Sequence, residues 1–214
     1  MPRTAPFEEH TDRYEDWFEA HEDAYRSELE ALERLVPATG RGLEIGVGSG
    51  RFAAPLGLDA GIDPAGAMLE RAQARGIDVV RGVAESLPVQ DGSFDTALIV
   101  TTICFVDDIL QTLAEADRVL TPSGSLVIGY IDKDSPVGRK YQEKKAQNPF
   151  YRDATFVSTD ELVDALEAAG FTDFEFVQTI YHWIDEIDGP EPVEAGYGDG
   201  SFVGVKATRE VSTQ

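Results

Sequence analysis

The residues of this sequence that most clearly indicate chemistry are three glycines and a carboxylate at predicted strand ends. An apolar run over residues 42–45 leads into glycines at alternate positions, Gly46, Gly48 and Gly50. The next apolar run ends on Asp63, in the segment GIDP. Glycines let the backbone approach a ligand closely, and a carboxylate at a neighbouring strand end accepts hydrogen bonds from two ribose hydroxyls. The pattern therefore indicates a nucleoside-containing ligand at one edge of a sheet.

The glycine spacing argues against one class of nucleotide-binding enzyme. A dinucleotide-binding fingerprint requires G-x-G-x-x-G, but the residue three positions after Gly48 is Arg51. A nicotinamide-dependent oxidoreductase is therefore a disfavoured alternative, and a cofactor-induced thermal shift would test it.

The chain supplies the elements that such a site needs. Short apolar runs alternate with helical stretches from Gly42 to Ile131, which is typical of parallel βαβ units. We predict an α/β fold with a Rossmann-like, doubly wound sheet of seven mostly parallel strands, one late strand antiparallel, and helices on both faces. Residues 7–36 are predicted to be helical with one break, and a further helix is predicted from about Phe52.

Local signals also predict how the chain continues after this core. Residues 121–124 predict a turn before the fifth strand, and Ser158 with Glu161 predicts a capping box at the start of a helix. Two more strand-like runs follow. We expect a single domain over residues 1–214, made of an N-terminal helical lid (1–37), a cofactor-binding core (38–132), and an acceptor-side segment with the C-terminal strands (133–214).

Two further motifs complete a recognisable set. Ala84-Glu85 follows the third predicted strand, and Phe94-Asp95 opens the fourth. In this order the motifs resemble the class I S-adenosylmethionine-dependent methyltransferases, in particular the small quinone-biosynthesis-like branch (methyltransferase type 11). The runs VTTICFVDD and NPFYRDATFVSTDEL are similar to an uncharacterised archaeal and bacterial subgroup of it. The resemblance implies S-adenosyl-L-methionine as cofactor and direct in-line transfer of its methyl group to a small-molecule acceptor, with no metal.

The same resemblance assigns roles to individual residues. The three glycines would contact the methionine part of the cofactor, Asp63 the ribose hydroxyls, and Ala84 with Glu85 the adenine, and Thr101 would also contact the cofactor. Glu44 either helps to hold the amino end of the cofactor or is a buried carboxylate bonded to backbone. Pro64 and Met68 either face the adenine or serve as a helix start and a core residue.

An aromatic stripe in the N-terminal segment has two interpretations. Its members recur at spacings of three and four: Tyr14, Trp17, Phe18, His21 and Tyr25. As a lid, these rings would cover the cofactor and contact its sulfonium by cation–π interaction, with Tyr14 and Trp17 as binding residues. The alternative is an ordinary core stripe.

No catalytic residue stands out on the acceptor side. Where many relatives have a histidine pair after the fourth strand, this chain has Cys104-Phe105, and the Asn/Asp-Pro-Pro-aromatic motif of nucleobase methyltransferases is absent. His21, Cys104 and His182 are the weak candidates for a base or nucleophile. Each also has a structural interpretation, which for Cys104 is that of a small buried apolar residue.

A basic cluster suggests an acceptor site. Four of the five lysines, Lys133, Lys140, Lys144 and Lys145, lie close together, with Arg139 and Tyr141 among them. The cluster either helps to bind an anionic acceptor, with Arg139 as a bidentate contact, or forms a solvated helix face.

Composition sets the remaining expectations. A formal net charge of -22 disfavours nucleic acid and anionic lipid as partners and is typical of a halophilic, haloarchaeal cytoplasm. One cysteine, no membrane span and no leader sequence predict a cytoplasmic protein. The oligomeric state is left open. A quinone C-methyltransferase and a non-catalytic regulatory protein that binds S-adenosylmethionine are the alternative functions.

The charge gives a prediction about salt. Because the Debye length falls to about 3 Å at 1 M salt, molar KCl screens the repulsion among the excess acidic groups. We expect the melting midpoint to rise between low and molar KCl in a thermal denaturation series. A flat or falling midpoint would contradict the high-salt interpretation.

Overall fold

One eight-stranded sheet organises the protein in the computed structural model, which describes residues 4–209. Its strand order is β3-β2-β1-β4-β5-β8-β6-β7. The strands β1 to β5 are parallel, whereas β8 is antiparallel to both β5 and β6. The strands are β1 (Gly42–Ile45), β2 (Ala60–Asp63), β3 (Asp78–Arg81), β4 (Phe94–Val100), β5 (Leu120–Ile131), β6 (Phe171–Thr179), β7 (Glu194–Ala195) and β8 (Phe202–Arg209).

Helices cover both faces of this sheet, as the sequence predicts for a doubly wound fold. The alternation of side chains along β5 shows the two layers: Leu126 and Ile128 pack with α5 and α7, and Val127 packs with α3 and α4 on the other face. The helices are α1 (Ala5–Glu9), α2 (Thr11–Ala20), α3 (Glu22–Leu35), α4 (Gly66–Ala74), α5 (Ile109–Val119), α6 (Pro136–Lys144) and α7 (Thr159–Ala168). No helix within residues 4–209 is both long and apolar enough to span a membrane.

The strand count corrects the sequence prediction of seven strands. The additional strand is β7, which has two exposed residues and pairs antiparallel with β6. It lies in the acidic stretch rich in glycine and proline between residues 185 and 200, where no alternation of apolar side chains is present to predict it.

The N-terminal segment is broken twice instead of once, and only part of it is a lid. The chain leaves helical geometry at His10 and again at His21, so three helices form. The third, α3, packs against the sheet through Ala31, Leu32 and Leu35, each at most 1% exposed. The lid is therefore limited to α1 and α2, and α3 belongs to the body of the domain.

Two local predictions also change. After β1 the chain forms consecutive turns over residues 51–57 instead of a helix from Phe52, and it reverses at Gly57, whose φ is +69°. The predicted turn at residues 121–124 is a bulge inside β5, because the register shifts between the pairs Phe94–Leu120 and Thr96–Ser125. The capping box of Ser158 and Glu161 is confirmed at the start of α7.

Assignment of α3 to the core predicts the effect of a truncation. Leu32 is 0% exposed, so Leu32→Ala should lower the free energy of unfolding by about 2–5 kcal/mol through lost burial and a cavity. Leu110 on α5 is 53% exposed, and Leu110→Ala should change it by less than about 0.5 kcal/mol. Urea denaturation of both variants makes the comparison. Similar stabilities of the two variants would mean that α3 is not part of the core.

Candidate active site

A cavity of about 510 Å³ lies at the carboxyl ends of β1, β2 and β4. The loops after these strands form one wall, and aromatic side chains of α1, α2 and the segment after α6 form the other. Open α/β sheets bind their ligands at this edge, and the volume lies within the range of small-molecule and cofactor sites.

The glycine loop after β1 gives this cavity its shape. Gly46, Gly48 and Gly50 all have positive φ, at +78°, +50° and +80°. Gly46 and Gly48 line the cavity, whereas Gly50 packs against α4, where an added Cβ would lie 3.1 Å from the Cα atom of Ala72. A Cβ on Gly48 would lie 3.5 Å from the Tyr14 hydroxyl oxygen. The absent side chain at this position therefore leaves space between the loop and the lid.

Asp63 connects the glycine loop to the end of β2. Its Oδ2 accepts a hydrogen bond from the Gly48 amide at 2.9 Å, and its Oδ1 accepts one from the Ala65 amide at 2.8 Å. Burial raises the pKa of this carboxyl to about 6, although both amides favour the ionised form. The carboxylate lines the cavity and is ionised above that pH, with lone pairs available to hydroxyl donors.

Glu44 lies behind the glycine loop and does not line the cavity. It is 2% exposed, and its Oε2 has no hydrogen-bond partner among the described residues. Burial raises its pKa well above the ordinary value, against the favourable effect of the Ala53 amide. This position corresponds to that of a buried carboxylate beneath the loop, one of the two interpretations that the sequence leaves open.

The remaining residues predicted to contact the cofactor lie along the same wall. Pro64, Ala84, Glu85 and Thr101 line the cavity, and Met68 is buried in α4. Glu85 Oε1 also accepts a hydrogen bond from the Asp107 amide at 2.7 Å, which links the loops after β3 and β4. Thr101 has φ +48°, a left-handed conformation that is uncommon for this residue type and is found most often at functional sites.

The lid brings aromatic rings over the cavity. Tyr14 and Trp17 both line it, and Phe7 of α1 contacts Phe105 and Phe150 at ring-centroid distances of 5.4 and 5.3 Å. Phe18 lines the cavity as well and also packs on Phe52, and Tyr25, which does not line it, packs on the same ring. Rings of the aromatic stripe therefore line the cavity and also extend the core, and their contact with a cofactor stays a prediction.

Acidic side chains attach the lid to the cofactor-binding loops. Glu8 accepts hydrogen bonds from the Gly66 and Ala67 amides at 2.7 and 3.0 Å, at the start of α4. Glu15 pairs with Arg51 and Arg75, at 2.5 and 2.6 Å. These contacts hold α1 and α2 across the cavity wall.

None of the three weak catalytic candidates lines this cavity. His21 donates from Nδ1 to the Trp17 carbonyl, and His182 pairs with Glu191. Cys104 is 8% exposed, borders a separate space of about 20 Å³, and has its pKa raised to about 12 by burial. A thiol with this pKa is protonated at neutral pH.

The basic side chains of the cluster contact other protein groups outside the cavity. Arg139 is exposed and donates to the Asp134 carbonyl, and Lys133 pairs with Glu161. Lys140 lies over the ring of Trp183, with Nζ 3.4 Å from its centroid. Among the residues predicted for the acceptor, the structure brings Tyr141 to the cavity and leaves Arg139 away from it.

Several cavity-lining residues are not predicted as site residues from the sequence, and among them is a buried glutamate. Glu28 of α3 is 4% exposed and faces the end of the cavity near Tyr141. A signal for it exists: Glu28 continues the helical spacing of the buried residues Ala24, Ala31 and Leu35, where an apolar residue is expected.

The fold and this edge site define a class I α/β domain that binds a nucleoside-type cofactor, and comparisons with known proteins identify the family. A family model described as a methyltransferase domain matches residues 43–128. An S-adenosylmethionine-dependent methyltransferase of Thermotoga maritima, described as a possible histamine N-methyltransferase, has a crystal structure with a TM-score of 0.94 and 47% identity, covering 97% of this chain and 100% of that one. The chain therefore belongs to the S-adenosylmethionine-dependent methyltransferases.

Other relatives match by sequence. An uncharacterised protein of Methanocaldococcus jannaschii is 43% identical over 203 residues, which cover 95% of this chain and 98% of that protein. An uncharacterised protein of Mycobacterium tuberculosis is 34% identical over 175 residues, 80% of this chain but 61% of that protein. The quinone-biosynthesis-like branch and a halophilic source remain predictions.

The cavity wall fits the cofactor of this family. The space that a Cβ would fill at Gly48 allows close approach of a ligand to the loop, and the Asp63 carboxylate would accept hydrogen bonds from a ribose diol placed there. Ile62, Val83 and Val106 line the same cavity as Ala84 and Glu85 and provide an apolar surface against which adenine would pack. Within residues 4–209, no group of three or more His, Cys, Asp or Glu side chains is arranged to hold a metal ion.

Asp63 gives the sharpest prediction for cofactor binding. Asp63→Ala should weaken S-adenosylmethionine binding by about 1–3 kcal/mol, because charge-assisted hydrogen bonds to the ribose are lost. Calorimetry on the folded variant measures this, and Asp78→Ala, at an exposed position of β3, is the matched control. An unchanged dissociation constant for Asp63→Ala would remove Asp63 from the site.

The same carboxylate predicts the pH dependence. Since its pKa is about 6 and the ionised form accepts the hydrogen bonds, cofactor affinity should fall as pH drops through 6 and level off above it. Asp63→Asn should bind more weakly and lose this dependence. A pH-independent affinity in the parent protein would contradict the role.

Proposed function

We propose that this protein transfers a methyl group from S-adenosylmethionine to a small-molecule acceptor by direct in-line displacement. The observation that carries the proposal is that one cavity is lined both by the residues expected to bind the cofactor and by residues that could contact an acceptor. Gly46, Gly48 and Asp63 line its cofactor end, while Glu28 and Tyr141 line the other. A shared cavity of about 510 Å³ supports a compact acceptor that lies next to the cofactor, and not a macromolecular one.

Tyr14 lies where the two ends meet. It lines the cavity beside Gly48, and burial raises its pKa, with further contributions from Glu44, Asp63, Glu15 and Glu28. The phenol is therefore a neutral hydrogen-bonding group at the junction. It is placed to orient an acceptor against the cofactor end.

The residues of this chain bind the two substrates, orient them, and exclude water from the site. When bound, the cofactor supplies an electrophilic methyl group on a positively charged sulfonium, so the reaction depends on alignment and desolvation more than on acid catalysis. The rings of Phe7, Phe105 and Phe150 cover the cavity on the lid side and remove water from the reacting groups. Asp63 and the glycine loop fix the position of the nucleoside.

The candidate acceptors differ in their support. Histamine, named for the Thermotoga maritima relative, is a small amine and belongs to a chemical class that the cavity accommodates. Quinone C-methylation has no feature of this cavity in its favour. A non-catalytic regulatory protein is the alternative that requires cofactor binding without methyl transfer.

Labelled methyl transfer tests the proposal. The purified protein, incubated with methyl-labelled S-adenosylmethionine and a clarified cell extract that contains both small molecules and macromolecules, should place label on a small molecule. Asp63→Ala should lower the rate at subsaturating cofactor and Asp78→Ala should not. Label in protein or nucleic acid would contradict the small-molecule acceptor. Cofactor binding without any transfer would favour the regulatory alternative.

A further inference from the structure

Glu28 is a buried carboxylate with no partner among the residues that the structure describes. It lines the cavity with 4% of its surface exposed, and among residues 4–209 no hydrogen bond or ion pair of its carboxylate is found, so burial is the one cause that shifts its pKa. Burying an ionisable group without a partner is costly, so such a group is expected to meet a partner from outside the chain. The ligand that completes this site therefore has to be complementary to a carboxyl group.

The surroundings of Glu28 are aromatic. Burial raises the pKa of Tyr14, Tyr141 and Tyr151, and the Glu28 carboxylate raises it further in each case. The same holds for Tyr25 on its own helix. These four phenols, from α2, α3, α6 and the segment after α6, are the titratable groups that face Glu28, and all of them are neutral at pH 7. Tyr141 and Tyr151 stack on each other at a centroid distance of 5.2 Å.

The nearby cations are held elsewhere. Arg13 lines the cavity, but its guanidinium lies over the Phe150 ring at 6.0 Å, and it does not lower the pKa of Glu28. Lys140 and Lys144 lie over Trp183. A carboxylate inside a set of electron-rich rings, with no cation from residues 4–209 paired to it, is the arrangement that recognises an organic ammonium ion.

We propose that the acceptor is a small amine, bound as its ammonium cation against the carboxylate of Glu28. The tyrosine rings around Glu28 contact the same cation through their faces. This inference rests on the proposed function and assigns the substrate class to the acceptor end of the cavity. It also opposes the anionic acceptor that the basic cluster suggests, because Arg139 does not line the cavity.

The same carboxylate is suited to remove a proton from the bound ammonium. Burial raises the pKa of Glu28 to about 8, far closer to that of an alkylammonium ion than an exposed carboxyl would be. The N–H bond breaks and an O–H bond forms on the carboxylate, which leaves a neutral amine with a free lone pair. Glu28 would thereby bind the amine and hold its proton.

A matched set of probes tests the assignment on the full chain. Phenethylamine, phenethyl alcohol and hydrocinnamate have similar size but are cationic, neutral and anionic at pH 8.5. With S-adenosylhomocysteine present, calorimetry should show that the parent protein binds the amine most tightly. Glu28→Gln should lose about tenfold or more of the amine affinity, reduce the preference over the alcohol, and keep its affinity for S-adenosylhomocysteine. Glu33→Gln, an exposed position on the same helix, should behave as the parent.

Proton linkage gives a second measurement that needs no variant. Because Glu28 is mostly protonated at pH 7, amine binding there should release a proton, measured in buffers of different ionisation enthalpy, and amine affinity should rise with pH through 8. Equal amine binding by parent and Glu28→Gln, equal binding of amine and alcohol by the parent, or binding of none of the probes would each overturn the proposal. Those results leave the proposed function intact if S-adenosylhomocysteine still binds, whereas its failure to bind would overturn the proposed function itself.

Discussion

The site depends on the hydrogen bonds that Asp63 accepts from the Gly48 and Ala65 amides. They join the loop after β1 to the end of β2, so a turn built from glycines, which would otherwise sample many conformations, has a fixed position. The loop is also held by the Gly46 amide, which donates to the Ile62 carbonyl at 2.7 Å. Position 46 has no room for a side chain, because a Cβ on Gly46 would lie 2.3 Å from the Thr102 hydroxyl oxygen. The cofactor end is therefore preorganised by backbone geometry.

The attachment of the lid depends on charged side chains to a greater extent than the glycine loop does. This acidic chain directs several of its arginines to the acids of α1 and α2, with Arg71 paired to Asp12 and with Arg51 and Arg75 paired to Glu15. These pairs differ in their response to salt. The Asp12 side chain is 88% exposed and its pair is screened, whereas the Glu15 side chain is 9% exposed and its pairs are protected. Salt that relieves the overall repulsion therefore leaves the inner attachment of the lid in place.

Much of the fold could be predicted from the sequence because it depends on periodicity and on short local patterns. Alternating apolar runs predicted β1 to β6 and β8, and the spacing of serine and glutamate predicted the cap of α7. The predicted lid was too long and included α3, because the apolar spacing of this helix is the same whether it covers a cavity or packs on a sheet. The strand β7 was not predicted because two residues are too few to show the alternation of apolar and polar side chains that indicates a strand.

The candidate site was predictable to the extent that its residues follow strands. Asp63, Ala84 and Glu85 come directly after β2 and β3, and parallel strands bring their carboxyl ends to one edge. Glu28, by contrast, comes from a helix that crosses the far end of the cavity, and its position there depends on tertiary packing. A glutamate in an otherwise apolar helical stripe is the one sequence signal that marks it.

Burial has different consequences for Asp63 and Glu28, two of the carboxylates that line the cavity, because their local partners differ. Asp63 has two amide donors that offset part of the desolvation, and its pKa of about 6 leaves it ionised at neutral pH. Such a group binds neutral hydroxyls without needing a counter-charge. Glu28 has no donor among residues 4–209, and burial raises its pKa to about 8, so the ionised form is favoured by a cation beside it. The two ends of one cavity are thus electrostatically distinct, because one carboxyl group is ionised at neutral pH and the other is mostly protonated there.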